Sequence, residues 1–148
     1  MISGMDPQVI RELEAQMGVV ARRVRRVVAE RAGVIDPALG AVGYSVFDHL
    51  ALHGSCRQSD LVSALSSEKG AVSRAVQQLV DLGLALREED PRDGRACVVA
   101  LSDEGRRRLD ELVRHRRAVY AEKLAGWSTE ELEEFVRLLG RYNASLER

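Results

Sequence analysis

From Ile10 onward, apolar residues recur in alternating steps of three and four, at Ile10, Leu13, Met17, Val20, Val24 and Val27. That spacing predicts an amphipathic helix over 6–30 with a heptad-like seam. The positions between carry Arg11, Glu12, Glu14, Arg22, Arg23, Arg25 and Arg26, a solvated charged side. The seam itself needs cover, from the same domain or from a second copy of the chain. Asp36 before Pro37 predicts the next helix start, an N-cap with proline at the first helical position. Tyr44, Val46, Phe47, Leu50 and Leu52 carry that helix to His53, where Gly54 suits a left-handed cap.

Leu61, Val62 and Leu65 mark a short helix over 59–65, and Ser66 with Ser67 breaks it. A longer helix follows over 69–82, burying Val72, Val76, Leu79 and Val80 and showing Lys69, Gly70, Ser73, Arg74, Gln77 and Gln78. After Gly83, residues 84–86 read as a strand and 96–101 as its antiparallel partner, with a turn over 91–94 between them. Ser102 caps a long helix with Asp103 and Glu104 in its first turn, where acids complement the helix dipole. Its stripe is Leu109, Leu112, Val113, Tyr120 and Leu124. Ser128 and Glu131 form a capping box, and Trp127 and Leu132 a hydrophobic staple, ahead of a last helix carrying Phe135, Val136, Leu139, Tyr142 and Leu146. The predicted class is mainly α with a small β-hairpin wing.

Composition narrows this picture. A chain of 148 residues, 45% hydrophobic and 30% charged, suits one helical globular domain. No stretch approaches the roughly 20 consecutive apolar residues of a membrane span. There is no apolar signal core near the start, so no membrane partner and a cytoplasmic location are expected. The net charge of −1 gives no global pull toward nucleic acid, so distribution matters more than the sum. Of the 22 basic residues, only Lys69 and Lys123 are lysines, and arginine is the side chain that grips phosphates and bases in bidentate fashion. Cys56 and Cys97 lack metal-like spacing and suit buried small hydrophobes. With no Gly-rich phosphate loop, nucleophile elbow or paired carboxylates in an obvious cleft, an enzyme is not expected.

The order of elements sets a helix-turn-helix directly before a two-stranded wing. A helix of this size fits the DNA major groove, and a hairpin tip can reach the adjacent minor groove or backbone. Arg92 and Arg95 flank the tight turn, with Asp93 placed to hold an arginine guanidinium. The stretch Asp90, Pro91, Asp93, Arg95, Val99, Leu101, Ser102 and Gly105 resembles the wing of MarR family transcriptional regulators, and residues 59–84 are similar to that family's helix-turn-helix through Leu61, Leu65, Val72, Ser73, Arg74, Leu79, Gly83 and Leu84.

The resemblance implies a winged helix-turn-helix over 37–101 with N- and C-terminal dimerisation helices at 6–30 and 103–148. Each recognition helix of a homodimer would read half of a pseudo-palindrome. Lys69, Ser73, Arg74 and Gln77 are the expected base and phosphate readers, and Arg92, Asp93 and Arg95 the wing contacts. The expected partners are double-stranded DNA, a second copy and a small-molecule effector; no cofactor is expected. Ser66, Ser67, Glu68, Gly70 and Arg57 depart from the family pattern, and the sparse recognition helix leaves a second reading, a dimer that has lost operator binding and serves as a protein-interaction module. A metal-responsive regulator would use His49 and His53, four apart on one helix, with His115. Capping and packing account for these histidines better, since no convincing fourth ligand accompanies them.

Overall fold

The computed structural model describes residues 6–146. The first helix, α1 (Pro7–Ile35), starts where the pattern places it: Asp6 is the N-cap, its carboxylate accepts the Gln8 N–H at 2.8 Å, and Pro7 opens the first turn. It then runs past residue 30, because Ala32 and Ile35 are buried and hold the last turn in the core.

Asp36 does not start a helix, contrary to the expectation from Asp-Pro. It caps the end of α1 through its N–H to the Ala32 carbonyl at 2.9 Å, while its carboxylate accepts the Ala38 N–H at 2.8 Å. An aspartate bonding an amide two residues on forms a turn of its own. The next helix, α2 (Ala41–His53), therefore starts after Gly40 and ends at Gly54, which at φ 79° and ψ −162° takes not the left-handed helical cap expected of it but an extended positive-φ conformation that only glycine adopts readily.

A two-residue strand that the hydrophobic pattern does not announce, β1 (Cys56–Arg57), precedes α3 (Gln58–Ala64) and α4 (Lys69–Asp81). The wing strands β2 (Ala85–Asp90) and β3 (Asp93–Leu101) are longer than the pattern predicts and close over Pro91 and Arg92. The sheet order is β1-β3-β2, all antiparallel. A register break after Glu89 pairs Asp90 with Asp93 and leaves residues 94–96 bulged on β3, a device that re-aims side chains at a hairpin end.

The chain divides into two compact units at Leu112/Val113, and α5 (Asp103–Lys123) passes through that boundary. The first unit owns the core. Tyr44, Val46, Phe47 and Leu50 of α2 pack with Leu61 of α3, Val72, Val76 and Leu79 of α4, and Leu84, Ala85, Val99 and Leu101 of the wing base. The second unit holds α6 (Thr129–Leu146), whose capping box is formed as predicted: Glu131 accepts the Ser128 N–H at 2.8 Å, and Ser128 Oγ accepts the Glu131 N–H at 3.2 Å. None of the described α6 residues is buried within the chain, and Phe135, Val136, Leu139 and Leu146 are exposed.

Candidate nucleic-acid interface

Helix α4 stands on its apolar face, with Val72, Val76 and Leu79 completely buried, so the opposite face is presented outward. Lys69 and Gln77 are exposed and Ser73 half-buried on one helical line, four residues apart, and exposed Arg74 lies beside them. The N-cap position is Glu68, which makes no side-chain cap bond, so the first-turn amides of α4 remain available to an acceptor. The Arg74 guanidinium folds back along the helix: a Cβ at Gly70 would stand 3.3 Å from Arg74 Nη1. Glycine at 70 thus leaves room for the arginine head over the first turn. A groove of ≈ 580 Å³ runs beside it, between Gly40–Gly43 of the α2 start and Arg74, Gln77 and Gln78 of α4.

Gln77 is not a free reader. Its Oε1 accepts Arg87 Nη1 of β2 at 2.5 Å, and its Nε2 donates to Asp81 Oδ1 at 2.7 Å. Gln78 is committed as well, donating from Nε2 to the Ala38 carbonyl at 2.8 Å and tying α4 to the turn before α2.

At the wing, two aspartates shape the tip through backbone amides. Asp90 Oδ1 accepts the Arg92 N–H at 2.8 Å and Asp93 Oδ1 accepts the Arg95 N–H at 3.1 Å. Asp93 therefore orders the Arg95 backbone, whereas residue type and spacing suggest a grip on a guanidinium; a carboxylate two residues ahead reaches the amide first. The arginine that a wing aspartate does hold is Arg57, whose Nε meets Asp90 Oδ2 at 2.6 Å. Asp90 is only 8% exposed. The Arg92 amide, followed by the Arg57 side chain, keeps its carboxyl below the usual carboxylate range. Among the described residues no ion pair engages the guanidinium of Arg92 or Arg95, and both side chains are exposed at the tip.

The wing base joins α5 through Ser102. Its Oγ donates to the Gly83 carbonyl at 2.5 Å and accepts the Gly105 N–H at 3.0 Å, while its own N–H reaches the Leu84 carbonyl at 3.0 Å. Ser102 is thus an N-cap and a clamp on the exit of α4 at once.

His49 and His53 lie ring to ring at 4.5 Å on α2, and His115 belongs to the second unit. Among the described residues no group of three or more His, Cys, Asp or Glu is placed to hold a metal. Cys97 and Cys56 are free and half-buried. Burial, with Asp60 adding to it, pushes the Cys56 thiol above its ordinary pKa, which disfavours the reactive thiolate.

These elements define a winged helix-turn-helix: α3, a tight turn, α4 and a three-stranded wing. Residues 43–96 match the MarR family. The uncharacterized HTH-type transcriptional regulator YxaD of Bacillus subtilis (strain 168) is 30% identical over 100 residues, 68% of this chain and 70% of YxaD. YdgJ of the same organism, also an uncharacterized HTH-type transcriptional regulator, is 33% identical over 84 residues, 57% of this chain and 51% of YdgJ, so the match spans about half the length of that relative. In three dimensions, a MarR family protein from Bacillus stearothermophilus superposes with a TM-score of 0.84 over 98% of this chain and 100% of that one, at 19% identity. The chain belongs to the MarR family of transcriptional regulators. Among the described residues no helix is long and apolar enough to cross a membrane.

Proposed function

We propose that the chain is a sequence-specific DNA-binding repressor that works in the cytoplasm, as a homodimer on a pseudo-palindromic operator, and has no enzymatic activity. One observation carries this reading: Arg92 and Arg95 stand exposed on a hairpin tip ordered by Asp90 and Asp93, and among the described residues neither guanidinium is closed into an ion pair. A narrow minor groove, with its enhanced negative potential, is the natural acceptor for such a tip. Lys69, Ser73 and Arg74 of α4 then meet the neighbouring major groove, with Gln77 beside them.

The homodimer is supported by the apolar rows that α1 and α6 each expose. Val9, Leu13, Val20 and Val24 lie on α1, and Phe135, Val136, Leu139 and Leu146 on α6. Exposed rows of this length mark interaction surfaces. A small-molecule effector that favours a half-site spacing other than one turn of the duplex would release the DNA.

The test is binding of the purified chain to duplex DNA flanking its own coding region, at two salt concentrations, with Arg95→Ala alongside. Binding that weakens with salt, and weakens strongly in Arg95→Ala, is the expected result. The mutant should sediment as wild type, whereas Phe135→Glu combined with Leu139→Glu should yield monomers. Equal operator affinity of wild type and Arg95→Ala would remove the wing assignment. Weak binding indifferent to sequence would favour the interaction module, a reading to which the acidic Glu68 at the start of α4 lends support.

A further inference from the structure

Arg87 lies on the strand face shared with Ala85, since alternate residues of a strand point the same way. Ala85 is 1% exposed and belongs to the core. Two residues further out, the face has passed the edge of that core, and Arg87 reaches α4 to donate to Gln77 Oε1 at 2.5 Å. Gln77 Nε2 passes the chain on to Asp81 Oδ1, one helical turn away, at 2.7 Å.

This relay has only one polarity. A guanidinium can only donate and an ionised carboxylate can only accept. The amide between them must therefore turn its carbonyl toward the wing and its NH₂ toward Asp81; the flipped amide would set donor against donor and acceptor against acceptor. An unheld glutamine flips freely and meets a base edge either way round. A glutamine amide offers two N–H donors and two carbonyl lone pairs. The relay consumes one of each and leaves one donor and one acceptor in fixed order, the pair needed for an adenine edge with its N7 acceptor and N6 donor.

We propose that Arg87 is a specificity-determining positioning residue, which with Asp81 fixes the amide of Gln77 and so sets which way round α4 reads one base pair in each half-site. The assignment rests on α4 being the DNA-reading helix. It makes the wing a determinant of major-groove selectivity as well as a DNA contact.

The experiment separates the two. A library of duplexes with a randomised centre, selected on the full wild-type chain, yields a consensus. Single-base variants of that duplex then give affinity ratios for wild type, Arg87→Ala, Asp81→Ala and Arg87→Lys. In both alanine variants the preference at one base pair per half-site should fall by about tenfold, with preferences elsewhere unchanged. Arg87→Lys keeps a donor and should retain most of that preference. Ratios unchanged at every position overturn the assignment. So does a uniform loss of affinity with all ratios intact, which would make Arg87 a backbone contact. A wild-type selection that yields no consensus overturns the DNA-reading role of α4 itself, and the relay with it.

Discussion

Gly105→Ala tests the junction between wing and α5, and its cost can be worked from the packing. Gly105 is buried in the first turn of α5, and a Cβ there would lie 2.1 Å from the Leu84 carbonyl oxygen and 3.1 Å from its carbon. Both are backbone atoms, so no side-chain rotation relieves the clash, and the chains must part by about 0.9 Å to restore the 3.0 Å that real Cβ contacts require. The Leu84 carbonyl accepts the Ser102 N–H, so the shift also strains the cap that Ser102 makes to Gly105. Overpacking of this kind costs about 3 kcal/mol, and a weakened cap about 1 kcal/mol more. Alanine's helix preference over glycine returns about 1 kcal/mol, leaving a net loss of about 3 kcal/mol. At roughly 3 °C per kcal/mol for a chain of this size, the melting temperature should fall by about 10 °C. Gly33→Ala is the control: it lies inside α1 with nothing within 4 Å of its added Cβ. There only the helix preference acts, and the melt should rise by about 3 °C. Circular dichroism melts at one fixed chain concentration measure both, since assembly would otherwise shift the midpoint. Two shifts of the same sign would refute the reasoning.

Two further perturbations address electrostatics and the wing. Arg107 and Arg108 hold Glu104 by side-chain hydrogen bonds, lowering its pKa from 4.5 to about 2. Its contribution is therefore present above about pH 4.5 and is lost as pH falls toward about 2. Urea titrations of wild type and Glu104→Gln across that range should converge as the pH drops, and a gap that persists undiminished to pH 2 would contradict the ion-pair account. Arg57→Met removes the partner of Asp90 and should loosen the tip, seen as faster hydrogen exchange at the Arg92 amide that Asp90 accepts. Unaltered protection of that amide would show that Asp90 needs no anchor at α3.

What the sequence discloses and what it conceals follow from how local the controlling chemistry is. Ser128 with Glu131 and Ser102 ahead of two acids each act within a few residues, and the structure bears both out; α2 likewise ends at Gly54 as its sequence suggests. Strand β1 is two residues with no period to detect, and it exists because Val98 and Val99 offer it a ladder edge more than forty residues away. The outer wing strand hides for a different reason: Arg87, Glu88 and Glu89 have no apolar alternation, and their pairing is carried outward by the register that starts at Ala85 and Leu101. Asp36 and Pro37 fit a helix start and an aspartate turn equally well. The burial of Ile35 decides between them, and burial is a property of the fold.

The interface residues show the same division, between residue type, which is legible, and hydrogen-bonding state, which is not. Lys69, Arg74, Arg92 and Arg95 stand exposed as their chemistry predicts, but Gln77 reads as free in sequence and is held at both ends in the structure. Its partner Arg87 lies 10 residues on, across the helix exit and the strand start, a separation that no helix or strand period flags. Arg57 reverses an expectation in a parallel way. In place of a capping hydroxyl it leaves α3 without a side-chain cap, yet its Nε reaches Asp90, 33 residues away. The position gives up a local bond at the start of α3 and gains one between that start and the hairpin end. With Arg57 joining the wing to α3 and Arg87 joining it to α4, the hairpin is tied to both helices of the helix-turn-helix by arginine side chains. Departures that look like losses when each helix is read alone form a wing braced against both helices when the contacts are read together.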